Sequence, residues 1–464
     1  MNVYCGVGFA ELPVPQGSPM GGYADRVGGA NGVADPLTVG AVTFFDGTRR
    51  AALVIADVIC VNTDTVTAIR KALAHLDFVW VSATHTHCGP ETGCVPGGGA
   101  TPAPWLDELT LRASQAVERA IAAETPGSGP GPGGAGAGVG VGVGVGVGVG
   151  VGVGLGVGSA EVSGIAGVRT RGLATPVPVD VVSLPGAQLV VLPVHPTVLP
   201  ASGNAVSADL PGAVRRELTR RTGLPTLVFT GAAGDISTRP VRQGQDTAEL
   251  VRLAGLVADA LPTPREVDTG PIRCSSRRIV LARKEMMPAA VRAAATEGAE
   301  AAAGEGAGAE AAEGGEAAAG AVGDLVAMAE AAYRAALASG DAMAARIAET
   351  RWQGARIAQS QSLRADDGPI EVEVGVLSIG GLTFVGLPGE PFLDVARRIR
   401  TRHPGAVVLG YTNGYPGYLP TRDAYAESES ESGYESGYEV LASVVAPGSA
   451  ETLALTATQL IEGS

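Results

Sequence analysis

Three histidines follow apolar runs, at positions where side chains of one sheet edge can meet. The segment W-V-S-A-T-H-T-H-C-G-P-E at 80–91 places His85 and His87 two residues apart, so both project from one face of an extended chain. His195 ends a second apolar run, L-V-V-L-P-V-H-P. Neutral imidazole is a preferred ligand of zinc. The pattern predicts a metal site; the alternative is a pair of histidines that only cap a strand.

Five segments in all carry polar residues directly after apolar strands. They are T-H-T-H-C-G-P (84–90), V-H-P-T (194–197), G-A-A-G-D-I-S (231–237), L-P-G-E-P-F (387–392) and N-G-Y-P-G-Y-L-P-T-R (413–422). Each has Gly or Pro where the chain must turn, and functional groups collect on loops held by a rigid sheet. Singly, each has a structural explanation: Glu390 suits a helix N-terminus, Asp235 a turn, and Tyr415 and Tyr418 a rim. Together they predict one site.

The elements that must position these residues indicate an α/β chain. Apolar spacing predicts helices over 64–76, 105–123, 209–222, 246–261, 324–362, 391–400 and 449–462. Strands are predicted at 78–83, 189–194, 226–230, 272–281 and 406–410, with hairpins turning at Asp46-Gly47 and Gly380-Gly381. Hairpins mixed with strand–helix–strand units predict a mixed β-sheet core flanked by helices.

Two stretches of biased composition interrupt this pattern. Residues 126–158 are rich in Pro and Gly and then alternate Val with Gly, and residues 294–323 are almost entirely Ala, Glu and Gly. Glycine at every second position leaves one face of a strand bare and raises its entropic cost. We therefore predict one large catalytic domain over 1–464, with 126–158 and 294–323 as surface insertions.

Composition excludes several classes of function. A net charge of −14 over 464 residues argues against a nucleic-acid-binding surface. No apolar run is long enough for a transmembrane segment, and the N-terminus lacks the pattern of a signal peptide. Five cysteines, an odd number in a long chain, indicate reduced thiols and a cytoplasmic protein. Nothing in the sequence indicates an oligomeric state.

The motifs, taken in order, resemble those of the neutral (alkaline, non-lysosomal) ceramidases. S-A-T-H-T-H-C-G-P is similar to the S-A-T-H-T-H-S-G-P signature of that family. G-V-G-F-A-E-L, G-G-Y-A-D-R, V-H-P-T, G-D-I-S, P-G-E and Y-x-x-Y-L-P-T-R occur in the family's order. The resemblance spans about residues 4–462 apart from the two insertions.

The resemblance implies a hydrolase with one catalytic zinc ion. It implies cleavage of the N-acyl amide bond of ceramide, or of a ceramide-like lipid, by zinc-activated water. Carried over by position, it makes His87 a catalytic residue that holds the oxyanion or protonates the amine, and Ser237 a nucleophile. A reaction that uses zinc and water does not require Ser237. The implied zinc ligands are His85, His195, Glu390 and Tyr418.

The sequence departs from the family pattern at several places. Cys88 stands where the signature has Ser, and the family's substrate-binding Arg is matched only by Arg169 or Arg171. A family tyrosine near the C-terminus corresponds to Tyr434 or Tyr438, because E-S-G-Y is duplicated. We expect neither an export signal nor the family's C-terminal immunoglobulin-like domain. Recognition of a long sphingoid chain is therefore less strongly indicated than the metal site.

Other chemistries fit the residues less well. A thiol hydrolase using Cys88 and His87 lacks an orienting Asn or Asp, and adjacent residues of a strand point to opposite sides. A zinc knuckle at Cys88 and Cys94 lacks a second pair, and no G-x-S-x-G surrounds Ser237. Two further hypotheses stay open: a non-catalytic protein with a structural zinc, and a zinc hydrolase of another small amide or ester.

Overall fold

Three units of the same construction, each a β-hairpin, a helix and a final strand, form the centre of the molecule. The computed structural model describes residues 2–24, 26–127, 154–169, 173–284, 326–362, 368–429 and 437–463. In each unit the second hairpin strand pairs in parallel with the final strand, and the hairpin is antiparallel. The carboxyl ends of the two parallel strands of a unit therefore lie at the same sheet edge.

The first unit consists of the hairpin Leu37–Phe45 and Arg50–Ala56, the helix Thr63–Ala72 and the strand Phe78–Ala83. Asp46 forms the hairpin turn, because its Oδ1 accepts the backbone N–H groups of residues 48 and 49. Strands Val3–Leu12 and Thr125–Gly127 extend the sheet, and the helix Ala103–Ala122 packs on it.

The second unit has the hairpin Val177–Leu184 and Ala187–Leu192, the helix Asp209–Thr222 and the strand Thr226–Thr230. Gly223 ends this helix with φ +71°, a conformation that glycine adopts without a steric penalty. The strands Gly156–Val162 and Arg265–Glu266 complete the sheet. The helix Thr247–Ala260 packs beside the unit's own helix, and the Asp246 side chain caps its N-terminus.

The third unit has the hairpin Ile370–Ile379 and Leu382–Gly386, the helix Leu393–Arg402 and the strand Ala406–Leu409. The strand Ile272–Leu281 pairs with the hairpin, and the helix Ser449–Glu462 packs against the helix of the unit. Short strands form two further sheets: Ile236–Ser237 with Gly167–Val168 and Leu173–Ala174, and Glu390–Pro391 with Tyr418–Leu419.

The three units share one apolar core. Phe44 and Trp80 of the first unit, Phe229 of the second and Phe384 and Leu409 of the third belong to the same cluster of buried side chains. Burial of one such side chain contributes roughly 2–3 kcal/mol. The predicted mixed α/β fold, with helices flanking the sheets, is confirmed.

The remaining helices correct one prediction. A single helix was expected over 324–362; the structure instead has helices at 326–339 and Ala342–Ser362. Gly340, with φ +75°, separates them, because a left-handed residue cannot continue a helix. Shorter helices at Arg422–Glu429 and Gly437–Ala442 follow the strand Tyr418–Leu419. Among the described residues, no helix combines the length and apolarity needed to cross a membrane.

The insertion boundaries and the cysteines also differ from expectation. Residues 126–127 and 156–158, predicted as part of an insertion, belong to paired strands. The insertion predicted at 294–323 lies outside the described residues. Cys60 and Cys94 form a disulfide with their Cα atoms 6.0 Å apart, so the prediction of reduced thiols is wrong for this pair. Cys5, Cys88 and Cys274 are free thiols.

Candidate active site

The final strands of the three units meet at the centre of the molecule. Ala83 N donates to Tyr411 O at 3.1 Å, and Gly410 N donates to Thr230 O at 3.0 Å. The Thr230 hydroxyl donates to Thr84 O at 2.8 Å. These hydrogen bonds hold one strand end of each unit against the strand ends of the other two. The residues that follow the three strands therefore face a common space.

His85 follows the first of these strands in an uncommon backbone conformation, with φ +63°. A non-glycine residue adopts this region at a cost of about 1–3 kcal/mol and only where its surroundings impose it. Its Nδ1 lies 2.6 Å from Ile59 O. A proton on Nδ1 that is donated to this carbonyl leaves the Nε2 lone pair available to a metal, which is the usual arrangement of a histidine ligand.

Three imidazole rings converge at this point. His87 Nε2 lies 3.4 Å from His85 Nε2 and 3.1 Å from His195 Nε2, and all three side chains are buried. Together they form a cluster with the geometry to hold a metal ion. Burial lowers the pKa of His87 and of His195 well below the ordinary value, with additional lowering by His85 and Arg169 respectively. Both rings are therefore neutral at pH 7, the form that binds metals.

Glu390 directs a carboxylate at the same cluster. Its Oε1 accepts the Tyr415 hydroxyl at 2.6 Å. Its Oε2 lies 3.3 Å from His85 Nε2 and 3.8 Å from His195 Nδ1, but within the described part of the chain it has no hydrogen-bond partner. Glu390 is only 1% exposed, and a buried carboxylate oxygen without a partner is costly. A cation beside the imidazoles would satisfy it, so the residues present fit a zinc ion.

His195 has two possible partners for Nδ1. Arg169 Nη2 lies 3.0 Å away and can only donate, whereas Ala233 O lies 3.4 Å away and can only accept. A ring that binds a metal through Nε2 must carry its proton on Nδ1. Metal binding by His195 through Nε2 therefore requires that Nδ1 donate to Ala233 O and that the Arg169 donor move away.

Tyr418 lies across from Glu390, since the two residues are register partners in a parallel pair of short strands. Its ring is nearly parallel to that of His195, with centroids 6.4 Å apart and an interplanar angle of 13°. Burial and the Glu390 carboxylate raise the pKa of Tyr418 well above its ordinary value. A bound cation acts in the opposite sense and would favour coordination by the phenol oxygen.

Ser237 occupies a different position. It is fully buried, and its backbone forms a bridge with His195. Its hydroxyl accepts the backbone N–H of Arg239 at 3.3 Å. Ser237 is outside the described lining of the cavity above the imidazoles.

The sequence left two alternatives open for substrate contact, Arg169 or Arg171 and Tyr434 or Tyr438, and the structure describes one residue of each pair. Arg169 forms an ion pair with Glu439, Nε to Oε1 at 3.1 Å, although the geometry is not that of a hydrogen bond. Tyr438 lines the cavity and meets Tyr418 edge-on, with centroids 5.9 Å apart. Arg171 and Tyr434 lie outside the described residues.

A cavity of about 280 Å³ opens above the cluster. Helix Ala342–Ser362 contributes Ile357 to its wall, and the disulfide contributes Cys94. The described lining residues are Met20, Gly22, Tyr23, Ala24, Ile59, His85, His87, Glu91, Cys94, Pro96, Ile357, Glu390, Tyr415, Tyr418, Tyr438 and Ala442.

Several of the site's residues were not predicted as such. Tyr23 meets the His87 ring edge-on at 4.8 Å and donates its hydroxyl to Leu199 O at 2.6 Å. Tyr411 covers the His85 ring, with centroids 4.4 Å apart. Tyr23 belongs to the G-G-Y-A-D-R segment, which was noted only as part of the resemblance. Nothing in the local sequence distinguishes Tyr411 from a core aromatic residue.

Two alternative chemistries lose support. Burial raises the pKa of Cys88 to about 12, so its thiol is protonated and a poor nucleophile. Cys94 is bonded to Cys60, which removes it from a knuckle with Cys88.

No protein-family model and no curated protein matches this sequence. The fold, however, matches solved ceramidase structures. A structure entitled "Ceramidase complexed with C2" superposes with a TM-score of 0.62 at 14% identity, over all of this chain and 76% of the other. The neutral ceramidase from Pseudomonas aeruginosa gives 0.61 at 15% identity, over all of this chain and 75% of the other. The chain thus has the fold of the neutral ceramidases.

Proposed function

We propose that this chain is a zinc-dependent amidohydrolase that cleaves the N-acyl amide bond of ceramide or of a ceramide-like lipid, within one catalytic domain. The observation that carries the proposal is the buried cluster of three imidazoles with an unpartnered Glu390 oxygen at the base of a cavity. The ceramidase fold adds support, because two ceramidase structures superpose over all of this chain.

The proposed zinc ligands share burial and strand-end positions. Two are imidazoles, one is a carboxylate and one is a phenol, which would be held more weakly than the other three and would leave room for water, as in catalytic zinc sites. When bound, zinc supplies a Lewis acid for the amide carbonyl and lowers the pKa of water. The ligands are His85, His195, Glu390 and Tyr418.

His87 is the proposed acid–base and oxyanion-binding residue. Its ring lines the cavity, and its Nδ1 has no partner among the described residues. A neutral ring can hold the developing oxyanion or pass a proton to the leaving amine, but it does the second only after it gains a proton. Ser237 is the second predicted catalytic residue; its burial outside the cavity lining favours support of the His195 strand over nucleophilic attack.

Metal analysis of the purified protein, followed by a screen of N-acyl amides that includes ceramide, tests the proposal. We expect about one zinc per chain, and loss of both zinc and turnover in His85→Ala and His195→Ala. We expect His87→Ala to keep zinc and lose at least a hundredfold in kcat, the usual size of a general acid–base contribution. Full turnover in either ligand variant contradicts the ligand set, and loss of zinc in His87→Ala makes that residue a ligand.

A further inference from the structure

Arg26 carries a guanidinium group that no described carboxylate neutralises. Its Nη1 donates to Met20 Sδ at 3.3 Å and its Nη2 to Cys88 Sγ at 3.7 Å. Sulfur is a weak acceptor, and a thioether or a thiol carries no charge. The Nε atom is buried and finds no partner in the described ranges of the chain. A partly buried cation without an anion is unfavourable, and a bound anion would offset that cost.

This cation lies beside the catalytic cavity. The guanidinium carbon of Arg26 stands 5.1 Å from the centre of the Tyr23 ring, and that ring meets His87 edge-on at 4.8 Å. Met20 and Tyr23 both line the cavity. Arg26 itself is not among the described lining residues. Its positive charge lies directly behind Met20 and Tyr23, one aromatic ring away from the proposed catalytic histidine.

Among the described residues, three carboxylates close to Cys88 or to the cavity already have other partners. Asp209 accepts three backbone N–H groups. Asp35 forms an ion pair with Arg216 at 2.8 Å. Glu91, which lines the cavity, accepts two backbone N–H groups of its own loop. Within the described part of the chain, none of these carboxylates neutralises Arg26, and its charge can be matched by a ligand.

We propose that Arg26 binds an acidic group of the substrate, so that the amide cleaved at this site belongs to an N-acyl compound with an anionic head group. The inference rests on the proposed amidohydrolase function and specifies its substrate class. A guanidinium binds a carboxylate or a phosphate through paired N–H groups. The donors of Arg26 reach only sulfur atoms or no acceptor, so an anion can recruit them without breaking an ion pair.

Two matched pairs of amides test the proposal. N-lauroylglycine and N-lauroylglycinamide differ only in a carboxylate, and ceramide 1-phosphate and ceramide differ only in a phosphate. We expect the anionic member of at least one pair to have a kcat/KM at least tenfold higher than its neutral partner. The pair that shows the preference identifies the anion. Equal values within both pairs overturn the inference.

Substitution of Arg26 assigns the preference to this residue. We expect Arg26→Gln to reduce the ratio of anionic to neutral kcat/KM to about one, and Arg26→Lys to retain most of it. Arg112→Gln, which removes a surface arginine paired with Glu108, is the matched control and should keep the ratio. A merely structural role for Arg26 would lower both rates and leave the ratio unchanged, which contradicts the proposal.

A binding measurement separates this inference from the proposed function. Melting temperatures are recorded with N-lauroylglycine, dodecyl phosphate and N-lauroylglycinamide. We expect an acidic ligand to raise the melting temperature of the native protein but not that of Arg26→Gln, whose own melting temperature reports whether it folds. If no amide is hydrolysed, the proposed function fails, and the acid-specific shift still decides the role of Arg26. Without such a shift in that case, the inference fails as well.

Discussion

His87 Nδ1, Glu390 Oε2 and the Tyr411 hydroxyl are buried polar atoms without hydrogen-bond partners among the described residues. All three atoms lie around the same group of strand ends. In a core packed for stability alone such atoms are paired or replaced, because each orphan costs roughly 1–3 kcal/mol. Their concentration at one point supports the proposed site, in which a metal ion and a substrate would satisfy these atoms.

Asp209 provides a pH-dependent test of the loop after His195. Its carboxyl is fully buried and accepts the backbone N–H groups of Val198, Leu199 and Leu210. Burial raises the pKa of Asp209 from 3.8 to about 6. The folded protein therefore holds this proton more tightly than the unfolded chain does. The resulting stability is full below about pH 4 and is lost as the pH rises through about 6.

The prediction concerns the difference in unfolding free energy between the native protein and Asp209→Asn. From pH 4 to pH 8 this difference should fall by roughly 3 kcal/mol, because asparagine does not titrate. The titration of other groups, such as Asp235, contributes equally to the unfolding free energies of both proteins and cancels in their difference. Denaturant titrations at the two pH values measure the difference. A constant difference would show that the Asp209 pKa is not raised.

Sequence reasoning at this scale is most informative where residue type alone restricts the chemistry. Two histidines at i and i+2 after an apolar strand indicate a metal site, and the structure brings His195 and Glu390 to them. Tyr23 and Arg26 escaped notice as site residues because tyrosine and arginine are common on surfaces. Their position beside the site depends on long-range contacts with His87 and Cys88, and no local pattern encodes those contacts.

At the scale of elements, the turn at Gly22 packs directly against the His87 ring. Gly22 has φ +94°, and a Cβ at this position would lie 2.5 Å from His87 Cγ. Gly22→Ala should displace the His87 ring and lower kcat/KM at least tenfold, while zinc content stays near that of the native protein. Activity assays and metal analysis measure the two effects.

Gly17 supplies the matched control for backbone strain. It has φ +81°, but a Cβ there would meet nothing within 4 Å. Gly17→Ala should lower the unfolding free energy by about 1–2 kcal/mol, the cost of a left-handed alanine, and leave kcat/KM unchanged. Equal activities of the two alanine variants would show that Gly22 does not control His87.

The disulfide fixes a cavity loop to the first unit. Cys60 follows the hairpin, and Cys94 lies 34 residues later in the cavity wall. A cross-link across this separation restricts the unfolded chain by roughly 3–4 kcal/mol. The double substitution Cys60→Ser, Cys94→Ser should lower the unfolding free energy by about that amount. Cys274→Ser, at a half-buried free thiol, should change it little.

Denaturant unfolding with and without a reductant measures this effect. The reductant should destabilise the native protein and leave the double variant unchanged. Thiol titration of the unreduced protein should find three free cysteines, which are Cys5, Cys88 and Cys274. Five reactive thiols after denaturation without a reductant would contradict the cross-link and restore the prediction made from the odd cysteine count.

At the scale of the whole molecule, each of the three units contributes to the site from both of its parallel strand ends. The contributions, unit by unit, are Ile59 and His85; His195 and Ala233; and Glu390 and Tyr418. The individual strands and helices could be predicted from apolar periodicity, and the helices 209–222 and 449–462 have the predicted bounds. The arrangement of the three units could not be predicted from the sequence. It depends on packing such as that of Phe229 with the other two units, which joins distant parts of the chain.

The hydrogen bond from Thr230 to Thr84 O tests whether the joined strand ends hold the site together. It links the final strands of the second and first units, immediately before His85. Thr230→Val has nearly the same shape and leaves a buried carbonyl without this donor, so it should lower the unfolding free energy by about 1–3 kcal/mol. It should also weaken zinc binding, since the backbone of His85 loses a support.

Thr43→Val is the control: this buried hydroxyl has no partner in the described structure, so its removal should be neutral or stabilising. Denaturant titration and zinc competition assays on both variants decide the matter, and an equal effect of the two substitutions would show that the strand ends are positioned by the apolar core alone.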